Sequence, residues 1–431
     1  MRLAAIFLLI APCFAETKVL KGFTLIDGTG KPASASMAMT IVNGRIQSVG
    51  PTANIKTPAG AEAVDLTGKY VMPGIINLHG HVGATQDLAQ GAQFYTRENV
   101  ERQLRTYASY GVTTVVSLGT DLEPIFQIRD EQRAGRPHLA RVYTAGRGFV
   151  AKAGYPPAGG MRYEVETPAD CAADVAELAA KKVDLVKIWV DDQLGKQRKL
   201  PIELSRAIIA EAGRHGLKVA AHIYYLEDAK QLVDAGVYAL AHSVRDQIVD
   251  QALIDNMYKH GVWQIATLTR EISTFIYAEK PAFLDDPFFT RSVSSRVVDT
   301  VKSPQYVARL KADPDFPKYP GFLSMAKRNL KRLADAGIKI GFGTDSGPPA
   351  RFQGYFEQWE MELMASAGLT PMQVITAATG NSAQFLAARD IGTLERGKWA
   401  DLIVLSKNPL EDIRNTRTIE AVYIAGNAVE R

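Results

Sequence analysis

The sequence predicts an α/β fold: a (β/α)8 barrel joined to a small β-sandwich built from both chain ends. Three observations predict it. Glycine closes helix-like stretches just ahead of apolar runs in Tyr110-Gly111-Val112, His215-Gly216-Leu217, Ala235-Gly236-Val237, His260-Gly261-Val262 and Ala336-Gly337-Ile338. Glycine just past a helix takes the left-handed cap conformation, and the repetition favours parallel βα units over an antiparallel sheet. Next, His79, His81, Lys187, His222, His242 and Asp345 each lie in or at the C-terminal end of a short apolar run. In a barrel of this kind those ends converge on one face, where the chemistry sits. Lastly, both chain ends read as short strands and turns, while the middle alternates.

Length and composition fit this frame. A chain of 431 residues accommodates a barrel of about 250–300 residues and a smaller module. Hydrophobic residues make up 46% and charged residues 22%, with a formal net charge of +4. That small excess, with no concentrated basic stripe, argues against nucleic acid as a partner.

Residues 1–15 read as a secretory signal peptide: Arg2, then the apolar core Leu3–Ala11, then Ala15 at the expected cleavage point. The apolar core is too short for a membrane span, so none is expected in the mature chain. The expected location is periplasmic or extracellular. The alternative is a buried N-terminal strand or helix. Cys13 and Cys171 are the two cysteines. If Cys13 leaves with the leader, no intramolecular disulfide can form, and a chain with a large core needs none. Cys171 reads as a packed helix residue, not a nucleophile.

Residues 16–70 form the N-terminal part of the sandwich. Met39-Thr40-Ile41-Val42, Asn43-Gly44 and Arg45-Ile46-Gln47-Ser48-Val49 give a hairpin, with Asn-Gly supplying the positive φ angles. Residues 391–431 return to it through Leu402-Ile403-Val404-Leu405 and Ala421-Val422-Tyr423-Ile424. Between them, residues 71–390 form the barrel, with strands expected at 71–78, 113–118, 141–145, 185–190, 218–222, 238–242, 262–267 and 339–344. The link from 268 to 338 is too long for one βα connection. It predicts a helical insertion at about 270–335, placed to cover the barrel mouth.

The candidate ligands follow from strand geometry. His79 and His81 are two apart, so on a strand both imidazoles face one way. His222 and His242 end strands counted as consecutive, and neutral imidazole is the commonest metal-ligand side chain. Asp345 follows Gly343-Thr344 at a strand end, where it would act as ligand and proton acceptor or simply cap the next segment. Lys187 stands between Val186 and Ile188 on an expected interior strand. Burial there favours a free amine, able to add carbon dioxide and become an anionic carbamate. Otherwise its head reaches solvent or pairs with Asp191 or Asp192. His215 and His260, beside helix-end glycines, read as structural. His138 has no ligand partner nearby in sequence.

With these motifs in place, the chain resembles the metal-dependent amidohydrolase superfamily, and within it the prolidase-like and imidazolonepropionase-like members with a carboxylated lysine. The matching motifs are Pro73-Gly74 to His79-Gly80-His81, the Lys187 strand, the His222 and His242 strand ends and Gly343-Thr344-Asp345. In the tail, Gly392-Thr393-Leu394, Gly397-Lys398 and Ala400-Asp401-Leu402 fit that family's returning sandwich. The resemblance implies a TIM-type barrel with two divalent metal ions, zinc by default and manganese or cobalt as alternatives. It implies His79, His81 and Asp345 on one ion, His222 and His242 on the other, and carboxylated Lys187 bridging them. A hydroxide between the ions would be the nucleophile, with Asp345 carrying its proton to the leaving amine.

The resemblance also gives Tyr224 a role as donor to the developing oxyanion, with core packing as the alternative. Arg245, Arg270 and Arg351 lie in βα loops over the expected site and are candidates for a substrate carboxylate. Alternatively each pairs with a neighbouring acid such as Asp246 or Glu271. The expected reaction is hydrolysis of an amide bond in a small molecule such as a dipeptide or N-acyl amino acid. Opening of a cyclic amide, an imidazolone or lactam, is the second reading. A non-hydrolytic metal binder or isomerase on the same scaffold is the third. Homo-oligomerisation is left open.

Overall fold

The structure is a computed structural model that describes residues 16–430. The expected leader, with Cys13, lies outside the described residues.

Eight parallel strands carry the site: β1 (Ile75–Gly80), β2 (Val112–Ser117), β3 (Arg141–Thr144), β4 (Val186–Trp189), β5 (Val219–His222), β6 (Ala239–Ala241), β7 (Trp263–Ile265) and β8 (Ile340–Gly341). They pair in two arcs, β1-β2-β3 and β4 through β8, each in chain order. Backbone hydrogen bonds join the arcs. The Asp184 amide donates to the Thr144 carbonyl at 2.9 Å, and the Leu78 amide to the Phe342 carbonyl at 2.8 Å. Gly80 and Ser346 form a further parallel bridge, so the ring closes on itself. The glycine junctions behave as expected. Gly261, for example, ends the helix Gln251–His260 at φ 65°, and the next amide, Val262, bonds back to Met257.

Both chain ends contribute to one eight-stranded sheet. Tyr70–Pro73 lies between Thr17–Leu25 and Leu402–Leu405, so N- and C-terminal strands are hydrogen-bonded neighbours. Phe23, Met39, Ile46, Val71, Leu402 and Tyr423 share its core. The sheet curls: the Asn43-Gly44 turn reaches the C-terminal strands, where the Ala400 amide, just ahead of Leu402–Leu405, donates to the Gly44 carbonyl at 2.8 Å. Asn43 and Gly44 have φ of 48° and 80°, as the hairpin signal requires. An added Cβ at Gly44 would lie 2.1 Å from the Ala425 carbonyl oxygen. Gly44→Ala is therefore expected to destabilise the protein by about 2–4 kcal/mol, combining a left-handed backbone with a steric clash. Chemical denaturation checks this, and an unchanged midpoint would contradict it.

Three features depart from the sequence expectation. The run 71–78 is two strands. Tyr70–Pro73 belongs to the terminal sheet and Ile75–Gly80 to the barrel. Gly74 permits the change of sheet, because any side chain there would meet Thr113. Two short strands, Gly148–Ala151 and Arg162–Val165, follow β3 and pair in parallel outside the expected set. The last helix of the expected insertion, Tyr319–Asp335, is a barrel helix that buries Ala326, Leu330 and Leu333 in the main core.

The rest of the insertion is a true addition. Its helices Pro287–Thr290, Ser295–Lys302 and Pro304–Lys311 accompany an aromatic cluster of Tyr277, Phe283, Phe289, Tyr355 and Phe356. Tyr277 donates its hydroxyl hydrogen bond to the Ala350 carbonyl, which ties the insertion to the loop after β8. Cys171 is buried in the helix Pro168–Ala180, and burial raises its thiol to about 11, consistent with a packing role.

Candidate functional site

Strand alternation brings the predicted side chains together. His79 is on β1 with His81 just past it, Lys187 is on β4, His222 ends β5, and His242 and Asp345 follow β6 and β8. All six are buried, none more than 7% exposed. His81 Nε2 lies 2.8 Å from Asp345 Oδ1, and His79 Nε2 lies 3.5 Å from the same oxygen. These three residues place their ligand atoms within 4.8 Å of one another. Lys187 Nζ is 3.3 Å from His79 Nε2. The His79 and His242 rings are 4.7 Å apart and those of His222 and His242 are 4.2 Å apart, centroid to centroid. Five strand ends therefore converge on one small volume.

Several of these groups are held by partners behind them. His81 Nδ1 faces Thr120 Oγ1 at 3.1 Å, and His242 Nδ1 faces Thr267 Oγ1 at 2.6 Å. His222 Nε2 faces Asp191 Oδ2 at 2.7 Å. In each case the other ring nitrogen is left for the cluster, the arrangement that orients metal-binding imidazoles. His79 Nδ1 is buried with no hydrogen-bond partner. The backbone contributes too. His242 and Asp345 have φ of 69° and 58°, and Thr267 has 50°. Such left-handed residues cost of order 1 kcal/mol each and hold the side chains to one direction.

Electrostatics favour uncharged donors. Burial holds His79 and His242 well below the ordinary imidazole value and lowers His81. Burial lowers His222 to about 4, against the opposing pull of Asp191. Burial also brings Lys187 down to about 7, so much of it is a free amine near neutral pH. For Asp345 burial pushes the other way, but Arg351 and the two histidines outweigh it and keep the carboxylate ionised. Neutral imidazoles, a carboxylate and an unprotonated amine form a donor set that suits a borderline divalent cation. His79 Nε2, His81 Nε2 and Asp345 Oδ1 crowd together as the ligand atoms of such a cation would.

The remaining predicted residues lie around this cluster. Arg245 is enclosed. Its Nη1 donates to Glu271 Oε1 at 2.5 Å, its Nη2 donates to the Ile223 carbonyl at 2.6 Å, and its guanidinium stacks over the Tyr224 ring. Arg270 donates to Glu271 Oε2 at 3.0 Å. The pairing with a neighbouring acid thus holds for both. Arg351 Nη1 donates to Asp345 Oδ2. Lys187 pairs with neither Asp191 nor Asp192: Asp191 is engaged by His222, and Asp192 accepts from the Tyr225 hydroxyl at 2.9 Å. Tyr224 is buried beside Phe322 and Tyr225.

Some site residues were not singled out from sequence. Asp191, which the sequence offers only as an alternative partner for Lys187, backs His222. Trp189, two residues past Lys187 on the same strand face, lies with its ring centroid 5.1 Å from Lys187 Nζ. The two-residue spacing was the available signal for it. Arg162 lies on one of the short unpredicted strands, and nothing local marked it. Glu357, buried on the helix Tyr355–Ser366, accepts from Asn77 Nδ2 at 2.7 Å, from the Thr344 and Ser346 hydroxyls at 2.6 Å each and from the Gly354 amide at 2.6 Å. Asn77 in turn accepts from the His79 amide at 2.9 Å. Glu357 therefore steadies both strand ends that carry the His-His-Asp group. Glu357→Ala is expected to cost at least about 3 kcal/mol by orphaning several buried donors, measurable as a lowered melting temperature. A stability within error of the parent protein would refute that expectation.

No helix among the described residues is long and apolar enough to cross a membrane. Residues 70–429 match the model of the amidohydrolase family. The chain is 24% identical to an ochratoxinase from Aspergillus niger over 95% of this chain and 85% of that one. It is 23% identical to an imidazolonepropionase from Deinococcus radiodurans over 90% of this chain and 91% of that one. Among solved structures, a putative prolidase from Bifidobacterium longum superposes with a TM-score of 0.77 at 25% identity, covering 96% of this chain and 95% of that one. A Xaa-Pro dipeptidase with methionine bound in its active site superposes with a TM-score of 0.76 at 22% identity, covering 96% of this chain and all of that one. With a family match spanning both the barrel and the returning terminal strands, this chain belongs to the amidohydrolase family and is a hydrolase acting on carbon–nitrogen bonds.

Proposed function

We propose that the protein cleaves an amide bond in a small molecule, such as a dipeptide or N-acyl amino acid, with the help of two divalent cations. The convergence of four imidazoles, one amine and one carboxylate from five strand ends is the observation that carries this reading. His79, His81 and Asp345 would hold one cation and His222 and His242 the second. Lys187 would serve both as a carbamate, its free amine having taken up carbon dioxide with loss of a proton. Zinc is the metal we favour. Two bound cations supply Lewis acidity toward a carbonyl and lower the pKa of water.

The chain's own groups do the rest. Asp345 accepts the proton of the attacking water and returns it to the nitrogen of the leaving amine. The Tyr224 hydroxyl stays protonated, because burial raises it well above the ordinary phenol value, and it donates toward the carbonyl oxygen as charge develops there. Arg245 and Arg270 brace Glu271, and Arg351 orients Asp345, so these three arginines hold the acids of the site in place. We further propose that residues 1–15 direct export to the periplasm or beyond and are removed there. N-terminal sequencing of the exported protein tests this, and an intact Met1 would refute it.

Opening of a cyclic amide is the second reading, favoured by the similarity to an imidazolonepropionase over 90% of this chain. One screen separates the possibilities. The mature chain, loaded with zinc, manganese or cobalt, is offered dipeptides, N-acyl amino acids, lactams and imidazolones. Metal-dependent turnover of linear amides supports the first reading, and turnover confined to rings supports the second. A chain holding two metal equivalents that cleaves no amide would overturn both and leave a metal binder or isomerase.

A further inference from the structure

Four arginines stand near the site, and three already have an acid. Arg245 and Arg270 share Glu271, and Arg351 holds Asp345. Arg162 differs. Its Nη1 donates to the Pro157 carbonyl at 2.6 Å, and its Nε is buried with no partner. No carboxylate among the described residues lies within ion-pairing distance of it. Its guanidinium lies over the Trp189 ring, 5.2 Å from the centroid, while Lys187 Nζ approaches the same ring at 5.1 Å. One indole thus carries the site lysine and an uncompensated guanidinium together. The charge of Arg162 also acts on Lys187, His81 and Asp345, which places it at the cluster and not on the outer surface.

A largely buried cation with an unused donor is costly unless an anion comes to it. A guanidinium presents parallel donors that match a carboxylate, and the Trp189 ring and the Pro157 carbonyl hold Arg162 in place in advance. Arg351 is less suited to the task, because its charge is spent on Asp345. We propose that Arg162 recognises a free carboxylate of the substrate, so that the preferred amide belongs to an N-acyl amino acid or dipeptide and not to its neutral carboxamide counterpart. This inference rests on the amide-hydrolase reading above.

The test compares the metal-loaded parent chain with Arg162→Met and Arg162→Lys. The substrates are N-benzoylglycine and N-benzoylglycinamide, which differ only in the carboxylate. For Arg162→Met, kcat/KM on the acid is expected to fall by about 10- to 100-fold, mainly through KM, as loss of a charge-assisted hydrogen bond predicts. The acid-to-carboxamide preference then falls by the same factor, and Arg162→Lys keeps part of it. Calorimetric binding of N-benzoylglycine, which needs no turnover, is expected to weaken in parallel. Equal losses on both substrates, a drop in metal content that explains the loss, or binding that is unchanged or undetectable in the parent would each overturn the assignment. A parent chain that binds N-benzoylglycine through Arg162 but cleaves no amide would sink the functional reading and leave this one standing.

Discussion

Replacing Asp345 by asparagine is expected to lower kcat by at least about 10³-fold, within the range that loss of a positioned general base produces. The reason lies in what the carboxylate touches. Its Oδ1 faces His81 and His79, and its Oδ2 holds Arg351. Asparagine has nearly the same shape, so packing around the residue changes little. The amide is neutral, however, and cannot take up a proton at working pH. It also gives Arg351 and a cation a weaker partner. Elemental analysis of the purified variant distinguishes the two consequences. Lost activity with both metals retained assigns the proton transfer to Asp345, whereas lost metal assigns it a ligand role. Near-normal turnover would exclude both.

Lys187→Ala is expected to leave fewer than two metal ions per chain and almost no activity. Lys187 is fully buried, with its amine against His79 and over the Trp189 ring. Alanine reaches none of these neighbours and opens a cavity the size of the lost chain. Because His79 borders that cavity, a small carboxylic acid has room and a partner there. Added short-chain acid or bicarbonate is therefore expected to restore part of the metal content and part of the rate. Labelled bicarbonate gives a direct check in the parent protein, since a carbamate on Lys187 has its own carbon resonance. Two firmly held metals in the alanine variant would contradict the bridging role.

Much of this site is legible in local sequence because strand ends are local features. A two-residue spacing sets His79 and His81 on one strand face, and short apolar runs ending in histidine mark β5 and β6. Lys187 stands out because a lysine among Val186, Ile188 and Trp189 has no ordinary reason to be there. Other features were not legible. The run 71–78 is apolar apart from Asn77, so periodicity alone does not reveal that Gly74 hands the chain from one sheet to another. The strands Gly148–Ala151 and Arg162–Val165 are four residues each, too short to show a period. The helix Tyr319–Asp335 has an amphipathic pattern like its neighbours in the insertion, and only its burial against the main core makes it part of the barrel.

The sequence by itself determined the architecture and the candidate donor set: parallel βα units, a sheet shared by both ends, and metal-binding side chain types at five of the eight strand ends. Each of those is written within a few neighbouring residues, through backbone conformation and side-chain alternation. The tertiary structure alone decided who answers whom. It put Arg351 on Asp345, Asp191 behind His222, Glu271 between Arg245 and Arg270, and left Arg162 over Trp189 without an acid. Such pairings depend on distances across the barrel mouth between residues far apart in the chain, and the low dielectric of a buried site makes each one matter.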